Sequence, residues 1–559
     1  MHNMKRVLKK VLKYTFISLV ALVVLIVGAV TYLYQTTDLL NPNIAVNLND
    51  YPVSNNGNFL VCKDNYLKKS NSGLYEVYIH GAPLERGVVL GRLSKELLYF
   101  QEKTFIDQIN LIVPSPNYLK ILRILTVIFN RHLGEYVPQE YRKEIYGLSL
   151  SCSHDFDAIG PAYERQLNFH AAHDIGHAMQ EYMLVGCSSF GAWGNKTSDS
   201  TMILGRNFDF FVGDDFAKNK LISFVAPEKG YKYASIGWAG MIGVVSGMNE
   251  TGLTVTLNAA KGAIPTSAAT PISILAREIL QYASTIDEAY KIAQNHQTFV
   301  CESILIGSAK DGKAAIIEKT PTQIALYNSK TNQIICTNHY QSELYQSDEK
   351  NIDNIRTSDS PYRYKRLESL LESNYPLTPN KVATILRNRF GENEADIGLT
   401  NEKSLNQSIA HHSVIFQPMQ RRMWVSTSPW QSGQYVCYDL NKIFSQKNFS
   451  GEIYESELTI EADSDFIKND YPKILRYREL VKETRLAIHT KKPLSATTLT
   501  EIQTTNPNFY HTYSVLGDYY NHFNEPQKAI DYWKMALKKE IPKENERKSI
   551  ENLIKKTSR

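Results

Sequence analysis

The feature that most constrains this chain is a pair of apolar runs, residues 185–193 and 202–211, joined by the polar segment Asn195-Lys196-Thr197-Ser198-Asp199-Ser200-Thr201. Two such runs around a polar turn form an antiparallel hairpin, which commits the neighbouring chain to a sheet. The hairpin brings Arg206 and Asp209 back beside Cys187, the residue that follows Gly186. A cysteine in an apolar strand is ordinarily a small buried hydrophobe. Here its neighbours are of another kind. An arginine cannot give up its proton and so favours a thiolate, while a carboxylate can hold a cationic amine. With donors for an oxyanion, that is what a thiol needs to cleave an amide. If the Gly186–Cys187 bond is cut, the freed α-amine of Cys187, with an ordinary pKa near ~7.8, becomes a base on the nucleophile's own residue. Glycine at 186 suits that cut by leaving the scissile carbonyl unshielded.

Further motifs follow in a fixed order. They are His80-Gly81-Ala82-Pro83-Leu84-Glu85-Arg86-Gly87 with Leu90-Gly91, then Gly186-Cys187-Ser188-Ser189, and Gly205-Arg206-Asn207-Phe208-Asp209. Next come Gly247-Met248-Asn249-Glu250-Thr251-Gly252-Leu253 leading to Leu257-Asn258, and Cys336-Thr337-Asn338-His339-Tyr340. His412-Ser413-Val414-Ile415-Phe416 with Met423-Trp424-Val425 closes the set. In these residues the chain resembles the N-terminal-nucleophile (Ntn) hydrolases of the penicillin acyltransferase, bile salt hydrolase and acid ceramidase group. It is most similar to the autoproteolytic acyl-CoA:6-aminopenicillanic acid acyltransferase branch, the C45 peptidases. The resemblance implies that Cys187 is the nucleophile and, after self-cleavage at Gly186–Cys187, the new N-terminus. It implies that Arg206 and Asp209 hold the thiol and the α-amine. Asn258 and Asn338 match side chains that donate to the oxyanion or hold the amine, and Arg363 and Arg366 both match a later arginine found in some members. The implied chemistry is attack on the amide of a small N-acyl compound with a lipid-like or aromatic acyl group, through a Cys187 thioester and without a cofactor. Water or a second amine then accepts the acyl group.

Each of these residues also has a plainer reading. Asn258 ends the alternating run Leu253-Thr254-Val255-Thr256-Leu257, and Asn338 ends Gln333-Ile334-Ile335-Cys336-Thr337, so both can simply turn the chain. Arg363 and Arg366 suit a solvated helix equally well. His339 is the side chain that serves as base if the chain is never cut. His170, His173 and His177 share one helix face, but no second Cys or His group has metal-ligand spacing. Satisfied histidines packed near the site are therefore expected, and no metal.

With 559 residues, of which 43% are hydrophobic, the chain builds a large catalytic body plus additions at both ends. Lys5, Arg6, Lys9, Lys10 and Lys13 form a basic flank over residues 1–13, before the uncharged apolar run 16–34. That run is long enough to cross a bilayer. The flank stays cytoplasmic and the remainder is exported, onto the periplasmic side of the inner membrane in a bacterium. A removed secretory signal within 14–35 is the competing reading. The 62 basic and 57 acidic residues leave a net charge of +5, which gives no footprint for nucleic acid. The six cysteines show no paired spacing, and a reduced Cys187 leaves an odd number for disulfides.

Between the ends, helical signals run over 85–103, 117–132 and most of 141–183, and strands dominate from 187, which indicates an α+β body. The resemblance sharpens this to a four-layer αββα sandwich. The organisation expected is a linker over 36–74, a pro-segment over 75–186, a catalytic core over 187–445 and linking helices over 446–500. A helical hairpin over 501–545 and a basic tail over 546–559 complete it. Tyr513, Leu516, Gly517, Tyr520, Ala529, Trp533 and Ala536 sit at tetratricopeptide offsets. One such unit needs neighbours, so it is expected to pack on the catalytic body, and it also offers a surface for a protein partner.

Overall fold

The computed structural model describes residues 2–112, 115–178, 184–262, 267–446 and 451–558. Its body contains two sheets. The larger has eleven strands and runs from Ser54–Asn56 at one edge, through Tyr75–Gly81 beside Leu221–Pro227, to Ile324–Asn328 at the other. The pairing of Tyr75–Gly81 with Leu221–Pro227 is parallel. The smaller sheet runs Gln333–Cys336, Ser188–Ala192, Ile203–Phe211, Ala410–Gln417, Arg422–Ser426, Tyr435–Asp439 and Glu455–Ile460, with the short strand Leu184–Val185 also on Ile203–Phe211.

Three apolar clusters show how the layers stack. One is shared by the facing sides of the sheets and joins Leu204, Val414 and Met423 to Phe224, Met248 and Ile316. A second packs the helices Pro83–Leu93, Gln139–Ser149 and Ile272–Tyr282 on the outer face of the larger sheet, through Val89, Leu148 and Leu275 against Val255 and Ile306. A third packs Ser360–Asn374 and Pro379–Leu386 on the outer face of the smaller sheet, through Leu367 and Val382 against Phe190 and Ile415. The second cluster takes residues from both sides of position 186, Leu90 and Leu167 with Leu253 and Leu257, so a cut there would leave two pieces sharing one core.

The motif around His80–Gly91 turns out to build this packing. Arg86 is buried and donates to Glu144 Oε2 from Nε at 3.1 Å and from Nη2 at 2.6 Å. A Cβ at Gly87 would stand 2.0 Å from Glu144 O, so only glycine lets the helices Pro83–Leu93 and Gln139–Ser149 approach this closely. The expected helix over 85–103 is broken at Ser94 into Pro83–Leu93 and Lys95–Ile112. The segment 36–74, expected as a linker, instead contributes the strands Ser54–Asn56, Phe59–Cys62 and Asn65–Lys69 to the larger sheet. Residues 179–183, part of the expected helix over 141–183, lie outside the described residues.

At the N-terminus the helix His2–Gln35 leaves its apolar side chains exposed, and its span Arg6–Gln35 is long and apolar enough to cross a membrane. An anchor and a signal sequence both have this form. At the other end, Tyr510–His522 and Pro526–Leu537 fold back on each other. Gly517 lies so close that a Cβ would meet Trp533 Cδ1 at 2.4 Å. Residues 544–557, expected within or beside a basic tail, form a further helix whose Ile550 joins the same apolar cluster. The helices dock on the body: Asn506 exchanges hydrogen bonds with Leu399 N at 3.0 Å and Leu399 O at 2.9 Å, and Asn401 Nδ2 donates to Glu540 O at 2.9 Å.

Candidate active site

The hairpin forms in the register Ser188 opposite Asn207, Ser189 opposite Arg206 and Phe190 opposite Gly205. Gly186 N extends it by donating to Asp209 O at 3.1 Å. Side chains alternate along a strand, so Arg206 and Asp209, three apart, fall on opposite faces and straddle Cys187. Arg206 faces the larger sheet. Its Nη1 donates to Val245 O at 2.8 Å and to Ser246 Oγ, and its Nη2 donates to Leu257 O and lies 3.8 Å from Cys187 Sγ. Asp209 shares its face with Asn207, whose Nδ2 donates to Leu386 O and Leu405 O, both at 2.9 Å.

Cys187 is 1% exposed. Burial pushes its thiol up to about 11, against the pull of Arg206, and Asp209 pushes it the same way as burial. In the intact chain the group is therefore a thiol at neutral pH and needs a base. Burial also pushes the Asp209 carboxyl up to about 8, with Arg363 and then Arg206 pulling it down. Neither oxygen of Asp209 has a hydrogen-bond partner among the described residues.

The structure separates the two later arginines. Arg363, on the helix Ser360–Asn374, donates from Nη1 to Cys187 O at 2.7 Å and Ser188 Oγ at 2.9 Å. Its Nη2 donates to Asn338 Oδ1 at 2.8 Å, and its Nε to Asp359 Oδ2 at 2.9 Å. Arg366, nearly one turn on, points elsewhere, with Nη2 donating to Glu394 Oε1 at 2.6 Å and to Asn388 Oδ1 at 3.2 Å.

Asn258 bridges the sheets: its Oδ1 accepts from Ser189 Oγ at 2.7 Å and its Nδ2 donates to Cys336 O at 3.0 Å. Asn338 Nδ2 donates to Ala259 O at 2.7 Å. An amide nitrogen carries two hydrogens, so among the described residues each asparagine keeps one in reserve. His339 is engaged away from the thiol, its Nδ1 lying 2.8 Å from Ser360 Oγ and 3.2 Å from Thr337 Oγ1. Burial, and then Arg363, bring its ring down to about 4, so it is neutral. His170 is a buried core residue, with Nδ1 2.7 Å from Gln166 O and Nε2 accepting from Ile242 N at 3.0 Å. The side chains of His173 and His177 lie outside the described residues.

Two groups beside the hairpin have no signal in the sequence pattern. Gln407 Nε2 donates to Gly186 O at 3.2 Å. A polar string also leads away from Arg206, because Ser246 Oγ lies 2.8 Å from His412 Nε2 and His412 Nδ1 lies 2.9 Å from His411 Nδ1. His412 belongs to a motif quoted above, yet only the fold shows that its ring reaches toward Arg206.

A cavity of about 740 Å³ opens beside Arg363 and Asn338. Lys261 and Arg356 line it from the body, and Lys543 and Lys548 from the C-terminal helices. An apolar recess on the other side is lined by Phe105, Phe169, Phe210, Phe216 and Trp238.

Comparison with known proteins adds a family. The family model described as acyl-coenzyme A:6-aminopenicillanic acid acyl-transferase matches residues 195–428. An uncharacterised protein of Archaeoglobus fulgidus is 21% identical over 346 residues, which cover 56% of this chain and 57% of that protein. Protein dcd1B of Dictyostelium discoideum is 22% identical over 200 residues, covering 35% of this chain and 37% of that protein. The chain thus spans 57% and 37% of the lengths of these curated relatives. Among solved structures, the Caenorhabditis elegans ortholog of N-acylethanolamine-hydrolyzing acid amidase aligns at 16% identity and a TM-score of 0.31, covering 42% of this chain and 93% of that one. A variant of the conjugated bile acid hydrolase from Clostridium perfringens aligns at 13% identity and a TM-score of 0.31, covering 48% of this chain and 96% of that one. The matched segment 195–428, which carries Arg206, Asp209, Asn258, Asn338 and Arg363, is thus similar to the acyl-coenzyme A:6-aminopenicillanic acid acyl-transferase family.

Proposed function

We propose that this chain is an Ntn-type cysteine amidase or acyltransferase that cuts itself between Gly186 and Cys187 and then acts on the amide of an N-acyl compound. The reading is carried by how the Gly186–Cys187 peptide is held. Arg206 lies at the sulfur, Arg363 holds the Cys187 carbonyl, and the buried Asp209 carboxyl beside the peptide has no hydrogen-bond partner at either oxygen among the described residues. An unpaired buried carboxylate costs stability, and a site that makes an ammonium group when the chain is cut gives it a partner.

After the cut, the α-amine of Cys187 takes the thiol proton, and Asp209 holds the resulting ammonium. The sulfur attacks the substrate carbonyl, and Asn258 or Asn338 donates a reserve N–H to the oxyanion. The ammonium then protonates the leaving nitrogen, and water or a second amine resolves the thioester. The side chains of the apolar recess beside Phe210 and Trp238 match a lipid-like or aromatic acyl group in kind, although its free space of about 40 Å³ has to widen to take one, and the cavity beside Asn338 suits the amine portion. Residues 16–34 would place the enzyme at a membrane surface, where amphiphilic amides gather.

Intact-mass analysis of the full chain and of Cys187→Ala tests the first step. The wild type should yield two fragments divided before Cys187, and the variant should stay whole. A wild type that stays whole but hydrolyses N-acyl amides in a Cys187-dependent way would identify an unprocessed amidase. A whole chain without turnover across acyl lengths would leave a binding protein.

A further inference from the structure

The loop before the strand Ala410–Gln417 reaches the scissile peptide from the helix-covered side of the smaller sheet, and its positions are fixed one by one. Leu405 O accepts from Asn207 Nδ2 at 2.9 Å. Asn406 Nδ2 donates to Ser432 Oγ at 3.2 Å, while Asn406 Oδ1 accepts from Ser408 N at 3.0 Å. Ser408 has a φ of 55°, a left-handed conformation that is unfavourable for a residue with a side chain. Its carbonyl is held by Arg478 Nη2 of the helix Tyr471–Thr490 at 2.8 Å. Between these two residues Gln407 is 2% exposed and its Nε2 donates to Gly186 O at 3.2 Å. A Cβ at Gly186 would stand 2.5 Å from that nitrogen, so glycine before the cysteine is also what admits the glutamine.

We propose that Gln407 is a catalytic residue of self-cleavage, the oxyanion donor for the Gly186 carbonyl. The inference rests on the self-cleaving reading above and names a group which that reading lacks. Its bonds balance as follows. Cys187 Sγ adds to the Gly186 carbonyl carbon as the thiol proton passes to Asp209 in its ionised form, and the carbonyl oxygen takes the negative charge against Gln407 Nε2–H. The C–N bond to Cys187 then breaks and the nitrogen takes the proton, which leaves a thioester between Gly186 and Cys187 Sγ and a free α-amine. Water hydrolyses the thioester to the Gly186 carboxylate and the thiol. The hydrogen bond to a neutral carbonyl is long, and it shortens and strengthens as charge develops. This oxyanion is a different atom from the one formed on a substrate, so the donor need not be Asn258 or Asn338.

The test follows fragment formation by intact mass in the full chain for the wild type, Cys187→Ala, Gln407→Met and Gln407→Glu, with thermal melting to verify that each is folded. Both Gln407 variants should cut about 100-fold or more slowly than wild type, as loss of one oxyanion donor does elsewhere. Gly186→Ala leaves the loop sequence intact and displaces the same amide, so it should slow cutting too, even if a Gln407 variant fails to fold. A wild type that cuts while folded Gln407→Met or Gly186→Ala cuts at the same rate overturns the role of Gln407 and leaves the self-cleaving reading standing. A wild type that never cuts overturns both.

Discussion

Two neighbouring corners of the site are built in opposite ways. At one, Arg363 spends all three nitrogens on fixed acceptors and ties the Cys187 carbonyl, Ser188, Asn338 and Asp359 into one rigid piece. At the other, the Asp209 carboxylate is just as buried and has no hydrogen bond at either oxygen among the described residues. Buried polar groups are nearly always paired, because leaving one unpaired costs about 1–3 kcal/mol or more. On the proposed self-cleaving reading, the partnered corner holds geometry, and the unpartnered one is kept open for a group that the intact chain does not yet offer, the α-amine of Cys187.

The sharpest way to break that contrast is Asp209→Asn. It keeps the shape and removes the charge and the base, so self-cleavage should fall about 10²- to 10⁴-fold by intact-mass time course. At pH 8 the protein should melt no lower than uncut Cys187→Ala, because a buried carboxylate without partners stabilises nothing. A large loss of melting temperature would place Asp209 with the structural groups instead.

Arg363→Ala should do the reverse and act first on stability. It strands Asp359 and three acceptors in the interior, and removing one partner of a buried ion pair costs about 3–5 kcal/mol. Chemical denaturation of the variant in an uncut Cys187→Ala background would measure that loss free of processing. A cost below about 1 kcal/mol would contradict the rigid-corner view.

The open corner also predicts a pH signature. Asp209 is raised from its ordinary value to about 8 in the folded intact chain, so its contribution to stability is full below the unfolded pKa of ~3.9 and is lost as pH rises through 8. Uncut Cys187→Ala should lose up to about 1.4 kcal/mol per pH unit across that window, relative to Cys187→Ala/Asp209→Asn. In the cut wild type the ammonium lowers the Asp209 pKa, and the difference should shrink. Equal slopes for the two uncut proteins would show that Asp209 is charged and paired after all.

The sequence reading reached the hairpin's groups more easily than the loop that serves them. The hairpin turn and its period of two bring Arg206, Asp209 and Cys187 together, because pairing register is a local property. The same period places Arg206 and Asp209 on opposite faces, and only the fold shows which of those faces meets the larger sheet. The strands of 54–69 escaped because short polar edge strands such as Ser54-Asn55-Asn56 carry little alternation. Gln407 left no trace at all: it sits in an irregular loop, fixed by Asn207, Ser432 and Arg478 from three separate parts of the chain. That arrangement is tertiary and has no spacing to read.

The smallest expected effect concerns the residue that sequence alone could not tell from Arg363. Arg366 lies nearly one turn along the same helix, and its carboxylate partner Glu394 has a side chain 63% exposed. A pair of that kind contributes about 0–1 kcal/mol, since water competes for both charges. Arg366→Ala also gives up the contact with Asn388 and some packing of its buried stem, so the total should be about 1 kcal/mol in chemical denaturation. Self-cleavage should keep its wild-type rate, because among the described residues its hydrogen bonds go to Asn388 and Glu394 and none to the Cys187–Arg206–Asp209 group. Two arginines on one helix would then differ severalfold in stability cost and entirely in processing, because a step of three residues points the first at the Cys187 carbonyl and the second at a solvent-facing loop. Loss of cutting in Arg366→Ala at an unchanged melting temperature would instead make the whole helix face, rather than Arg363 alone, part of the site.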